Sequence, residues 1–200
     1  LTTDNKTGWE AFYCANQTRA TSPLLRRALG DECLPKGNGH AIDLGCGGGI
    51  ETALLLKAGW KVLAIDKEPN AIARVETLKA ELPSADLTIL TSSFEELKGL
   101  PSSALIHAGL SLPFCESTHF PALWNMILSA LEPGGLFVGH LFGNRHDWAK
   151  HSAMSFHSTQ GVEALCNGLE VELFRESEGE GGLVTHHWHR FDLILRKPAV

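Results

Sequence analysis

Ala41-Ile42-Asp43-Leu44-Gly45-Cys46-Gly47-Gly48-Gly49-Ile50-Glu51-Thr52 reads as the end of a buried strand, a glycine turn and the start of a helix. Glycines at 45, 47 and 49 let the backbone turn tightly and approach a ligand with no Cβ in between. The helix that follows, Ile50 to about Ala58, directs its first N–H groups at whatever occupies the turn. A nucleotide-like cofactor is the expectation. A dinucleotide fingerprint, G-x-G-x-x-G, needs glycine at its sixth position, and Ile50 stands there. Asp43, two residues before the first glycine, would repel a pyrophosphate but attract an ammonium or a sulfonium.

Outward from this turn the chain alternates strands and helices. Lys61 to Asp66 reads as a second strand after the helix stop at Gly59. Asp66 closes it about 20 residues beyond the turn, where α/β nucleotide sites place a carboxylate for ribose hydroxyls; the alternative is a helix-capping Asp, since Pro69 opens the next helix. That helix, 69–82, carries Ile72, Val75, Leu78 and Leu82 at helical spacing. A strand from Asp86 to Leu90 leads into Ser92, Ser93 and Phe94, and an apolar strand from Ala104 opens through Ala108 and Gly109 into Ser111-Leu112-Pro113-Phe114-Cys115. Helix 120–131 is amphipathic, Glu132-Pro133-Gly134-Gly135 ends it, and Leu136 to Phe142 is the next strand. A loop from Gly143 to about His157, a short helix at 159–166 and two strands at about 169–176 and 186–196 complete the chain, with Gly179, Gly181 and Gly182 in the last turn. Upstream, Pro23 takes the favoured first position of a helix after Ser22.

Two hundred residues suit one domain, 1–200, read as an N-terminal segment at 1–22 and a core at 23–200. Hydrophobic content of 44% and charged content of 20% are ordinary for a globular protein. No apolar run is long enough for a membrane span. The net charge is −6 with scattered basic residues, which argues against a nucleic-acid partner and for a small substrate. The five cysteines are widely spaced with no C-x-x-C pair, and no signal-peptide pattern is read, so a reduced, cytoplasmic protein is expected. Composition says nothing of oligomeric state.

The D-x-G-x-G-x-G run at Asp43–Gly49 resembles the first motif of the class I S-adenosylmethionine-dependent methyltransferases. Five α/β alternations closed by a β-hairpin are similar to that family's chain, and Asp43 to Gly47, Asp66-Lys67 with Ala71-Ile72, and Phe191 to Lys197 resemble its tellurite-resistance (TehB-like) and thiopurine-like small-molecule branch. The resemblance implies an α/β fold: a seven-stranded, mostly parallel Rossmann-like sheet with helices on both faces and a final antiparallel strand beside the fifth. It implies an enzyme that moves a methyl group from S-adenosylmethionine to a small-molecule acceptor. Cofactor contacts are expected at Asp43, Gly45, Cys46, Gly47, Gly49, Asp66, Lys67, Ser92, Ser93, Phe94, Ala108 and Gly109, with Ser93 equally readable as an N-cap. The acceptor is expected among Leu112, Phe114, Phe142 and Arg145, under a lid carrying Trp9 and Tyr13, with Arg145 offering paired donors to an anion.

Rival chemistries stay open at several positions. His107 and His140 are candidate bases, or core histidines. Ser111-Leu112-Pro113-Phe114 resembles the tetrapeptide of amino-group methyltransferases acting on macromolecules, with Leu in place of its first Pro. In His186-His187-Trp188-His189 the second and last histidines share one strand face, and a packed or solvated strand end is expected rather than a metal site. A non-catalytic S-adenosylmethionine-binding subunit is the remaining alternative.

Overall fold

A computed structural model describes residues 19–30, 39–150, 153–181 and 186–199. Trp9, Phe12 and Tyr13, and with them the lid reading, lie outside the described residues.

Helix α1 (Pro23–Leu29) is capped by Ser22, whose hydroxyl accepts from the Leu25 N–H. Strand β1 (His40–Leu44) then runs through the glycine turn into α2 (Ile50–Lys57), and β2 (Lys61–Asp66) into α3 (Pro69–Glu81). Strands β3 (Leu87–Thr91) and β4 (Ser103–Ala108) lead to α4 (Phe120–Ala130) and β5 (Leu131–Gly143). A two-residue strand β6 (Phe156–His157), helix α5 (Thr159–Leu165) and the hairpin β7 (Glu170–Gly181) and β8 (His186–Arg196) follow. The strand order is β3-β2-β1-β4-β5-β8-β7, with β6 attached to β5 off this path. Strands β1 to β5 pair in parallel, and β8 lies antiparallel between β5 and β7.

Three boundaries differ from the sequence reading. Strand β5 begins at Leu131, which pairs with Ser103 before the register skips to Leu136 opposite Leu105. Glu132-Pro133-Gly134-Gly135 is thus a bulge inside the strand, admitted by the positive φ of Gly134. The loop after β5 holds a turn of 3-10 helix at Asp147–Lys150 and the extra strand β6. Gly179 sits in β7 opposite Trp188, where a Cβ would lie 3.0 Å from the indole, so this glycine makes room for a ring across the sheet.

Alternation along the strands separates two cores. Ile42, Leu44, Ile106, Phe137, Leu141 and Phe191 face Phe120, Trp124 and Ile127 of α4. Ala41, Leu105, Val138 and Ile194 face Leu24 and Leu25 of α1, Leu55 of α2 and Val75 of α3. Asp43, His107, His140 and Asp192 have the parity of this second face, so polar groups are built into it near the C-terminal strand ends.

The segment entering α1 is fastened to the glycine-turn helix. Glu51, buried at the start of α2, accepts from both Arg19 guanidinium nitrogens at 2.6 Å and from the Ser22 N–H at 2.9 Å. Arg19→Ala leaves a buried carboxylate with one of its three donors. An unfolding free energy lower by about 1–3 kcal/mol is expected in urea titration, and an unchanged midpoint would contradict this account.

Candidate active site

The glycine turn is held from beneath by β2. Gly45 and Cys46 donate their N–H groups to the Ile65 carbonyl at 2.7 and 3.0 Å, and Gly47 donates to an Asp66 carboxylate oxygen at 2.9 Å. Gly45, Gly47 and Gly49 all have positive φ. At Gly45 a side chain is excluded twice, because a Cβ there would stand 2.3 Å from that of Ser111, whose hydroxyl donates to the Leu44 carbonyl. A phosphate-binding turn directs such N–H groups at the anion. Here Gly45, Cys46 and Gly47 are engaged with β2, so the turn presents bare backbone rather than a ring of donors.

Asp66 closes β2 beside this turn. One carboxylate oxygen takes the Gly47 N–H and the other takes the Glu68 N–H, both at 2.9 Å. The capping role and the turn-binding role thus coexist in one side chain. Burial pushes its carboxyl above the usual carboxylate range, and the two backbone donors work against that rise. Each oxygen retains lone pairs, as two neighbouring ribose hydroxyls would require. No atom lies within 4 Å of a Cβ placed on Gly48, so the turn is open on that side.

The family described as Methyltransferase domain matches residues 41–135, from β1 into the bulge of β5. This is a class I S-adenosylmethionine-dependent methyltransferase domain. Trans-aconitate 2-methyltransferase of Delftia acidovorans is 33% identical over 147 residues, covering 71% of this chain and 50% of that protein. Ribosomal RNA small subunit methyltransferase C of Shewanella pealeana is 34% identical over 119 residues, 56% of this chain and 33% of that protein. The chain therefore spans a third to a half of these curated relatives. TehB from Haemophilus influenzae has the same fold, with a TM-score of 0.79 at 15% identity, over 94% of this chain and 66% of that one.

The residues of the methyltransferase site fit S-adenosylmethionine: a carboxylate with acceptor capacity for two hydroxyls, beside a side-chain-free turn whose N–H groups at 45 to 47 are not offered to a phosphate. A cavity of about 60 Å³ bounded by Leu29, Trp60, Leu136 and Arg196 lies at the opposite strand ends.

Several expected contacts take other roles. Asp43 is buried, with a partner on each oxygen: one accepts from the Thr52 hydroxyl at 2.6 Å and the other meets His107 Nδ1 at 2.8 Å. It braces the turn from inside the sheet. The Cys46 side chain packs in the second core, where burial drives its thiol far above its ordinary value, so only its backbone borders the turn. Ala108 points into the first core, leaving Gly109 as the side-chain-free position at the end of β4. Ser93 hydrogen-bonds through N–H and hydroxyl to Glu96, a local turn rather than a helix cap, and the Ser92 hydroxyl donates to the Ser93 carbonyl. The Phe94 ring stands 3.6 Å from where a Gly45 Cβ would be, at the edge of the turn. Lys67 is exposed just past Asp66.

On the acceptor side the expectations divide. Leu112 is fully buried in the first core and lines nothing, because the 3-10 turn Leu112–Phe114 directs it inward. Cys115 is buried beside it, its thiol pushed up to about 12 by desolvation. Phe114 and Phe142 do meet, edge to face at 6.4 Å. Phe142 continues into a group with Trp148, which the sequence places close behind it, and two histidines that it does not: His146 stacks on Phe142 at 4.7 Å, and Trp148, 42% exposed, stacks on His186 at 5.2 Å. Alternation could not reveal this group, because the loop after β5 folds back onto the start of β8. Arg145 is paired with the hairpin. Its guanidinium bonds Glu176 at 2.6 Å and Glu178 at 2.8 Å, and its N–H donates to Nδ1 of the buried His189. His187 reaches Glu178 and Glu180, and His189 reaches Glu176, so these histidines stitch β8 to β7.

Burial pushes both His140 and His157 down to about 4, the nearby Asp192 opposing the fall at His140. A histidine held neutral in the fold favours the folded state fully above its ordinary value near 6.5. That stability is lost as pH falls from there toward 4, because the unfolded chain binds the proton first. Each contributes on the order of 2–3 kcal/mol. Urea midpoints should drop steeply between pH 7 and pH 4.5, and less steeply in His157→Asn; equal slopes would refute this.

Proposed function

We propose that the domain transfers the methyl group of S-adenosylmethionine to a small-molecule acceptor. The arrangement that carries this reading is Asp66 joined to the Gly47 N–H across the turn, with lone pairs left on both oxygens. S-adenosylmethionine supplies a methyl carbon already activated by a positive sulfur, so the protein's work is to position the acceptor and exclude water. Asp66 would hold the ribose, and the glycine turn would let the backbone approach the adenosyl group. Phe114 and Phe142, with Trp148 beyond them, would form a wall that keeps water from the reacting centre.

Relatives that act on ribosomal RNA raise a macromolecular amino group as a target, and two observations weigh against it. The Ser111 hydroxyl, first in the tetrapeptide that resembles that branch, is engaged with the Leu44 carbonyl. The net charge of −6 gives no electrostatic footprint for nucleic acid. Calorimetry should show binding of S-adenosylmethionine and S-adenosylhomocysteine and none of NAD. Tight NAD binding with no response to either adenosyl ligand would overturn the proposal.

A further inference from the structure

Leu110 combines two properties that a leucine rarely shows together. Its φ is 58°, and among the described residues it is the one residue other than glycine with a positive φ. It is also 42% exposed, although β4, which it follows, is buried from Ser103 to Ala108. An exposed leucine alone carries no message, and Leu90 and Val171 are exposed on the edge strands β3 and β7. Left-handed backbone is different, because an L side chain crowds the following carbonyl there. Alternation from Ala108 would send Leu110 into the first core, and the left-handed backbone turns it out instead. Such outliers gather at ligand contacts, where they persist because their surroundings impose them.

The surroundings of Leu110 are fixed on both sides. Before it, a Cβ on Gly109 would lie 2.8 Å from His107 Cε1, so the imidazole already fills that side of the chain. After it, the Ser111 hydroxyl donates to the Leu44 carbonyl and ties the chain back to β1, and Leu112 is sunk in the core. Leu110 thus tops an arch over the end of β4. The arch stands where the sheet order reverses, between β1 and β4, and open α/β sheets bind ligands in the crevice outside the carboxyl strand ends at that point. Leu44 pairs with Ile65 and Asp43 with His107. Continuing these registers puts Asp66, Gly45 and Gly109 in one row across the strand ends, about 10 Å long at two strand spacings. Asp66 stands at one end of the row, Leu110 follows at the other, and the side-chain-free turn lies between them.

We propose that the Leu110 side chain packs against the sulfonium end of bound S-adenosylmethionine, which makes it a binding residue of the cofactor site. This rests on the methyl-transfer reading above. With its ribose on Asp66, a ligand that crosses the turn reaches Leu110 with its far end. The loops carrying Phe114 and Phe142 follow β4 and β5, so the end that meets Leu110 is the one that carries the methyl group. The substituents on that sulfur are methyl and methylene groups, which an aliphatic side chain covers without competing for hydrogen bonds. A glycine at 110 would relieve the backbone and leave that end of the ligand open to water.

Calorimetric titration of the full chain with S-adenosylmethionine, S-adenosylhomocysteine and adenosine separates the outcomes, with urea unfolding of each variant alongside. Leu110→Gly should unfold at the parent's midpoint or above it, since glycine accepts a positive φ freely and an exposed side chain gives up little packing. Its affinity for S-adenosylmethionine and S-adenosylhomocysteine should fall about 5- to 10-fold, as the loss of part of a leucine contact implies. Adenosine, which lacks the sulfur end, should bind as it does to the parent. Leu110→Met keeps an apolar cover and should hold both affinities within about threefold of the parent. A Leu110→Gly protein with the parent's affinity for both sulfur ligands overturns the proposal, as does one that loses adenosine equally. A Leu110→Gly midpoint far below the parent's also overturns it, because the leucine then belongs to the fold and not to the ligand. A parent chain that binds no adenosyl ligand instead overturns the methyl-transfer reading beneath it.

Discussion

Gly45→Ala should unfold the cofactor turn and remove S-adenosylhomocysteine binding altogether. Gly45 sits at φ 70°, where an L side chain costs about 1–2 kcal/mol. Its Cβ would also stand 2.3 Å from the Ser111 Cβ and 2.9 Å from its hydroxyl oxygen, and overpacking of this kind adds about 1–3 kcal/mol. The combined loss of about 2–5 kcal/mol falls on the two N–H bonds that fasten the turn to Ile65. Calorimetry would show a large fall in melting temperature, partly restored in the double variant with Ser111→Gly. A Gly45→Ala protein with the parent's melting temperature and affinity would show that neither the backbone geometry nor the Ser111 contact constrains this position.

Asp66→Ala should act mainly on the ligand. Hydrogen bonds to a charged group contribute about 1.5–3 kcal/mol, so S-adenosylhomocysteine affinity should fall roughly 10- to 150-fold. Asp43→Ala is the informative comparison. It strips the partner from His107 and Thr52 inside the sheet, so it should lower the unfolding midpoint. If Asp66→Ala bound as tightly as the parent, the carboxylate would not be the ribose contact.

These two aspartates also mark how far a sequence can be read. Both could be placed beside the glycine turn, because strand ends, glycine spacing and the distance between two motifs are written along the chain. What differs between them is lateral. Asp66 ends its strand and meets the turn, while Asp43 points inward at a histidine 64 positions away in sequence, which only sheet register reveals. Arg145 illustrates the same limit: its loop was correctly placed after the fifth strand, yet its partners Glu176 and Glu178 come from a hairpin that local pattern could not bring alongside. Leu112 and Ser111 show the smallest form of the problem, since one 3-10 turn decides which of two adjacent residues enters the core. Strand order, by contrast, followed from the resemblance, which implies an antiparallel final strand beside the fifth, as β8 lies here.

The placement of β8 between β5 and β7 has a consequence for synthesis on the ribosome. Strands β2 to β5 can join the sheet as they emerge, each finding one neighbour already made. The outer edge of β5 waits longer, because its partners from Leu136 to Phe142 are Arg196 down to Arg190, some fifty residues downstream. Until those residues clear the exit tunnel, an apolar strand with unpaired backbone groups is open to other nascent chains. β6 does not shield it, because Phe142 pairs with Arg190 of β8 on one edge and with Phe156 of β6 on the other. Codon choice over the stretch that encodes residues 143–196 should therefore affect soluble yield.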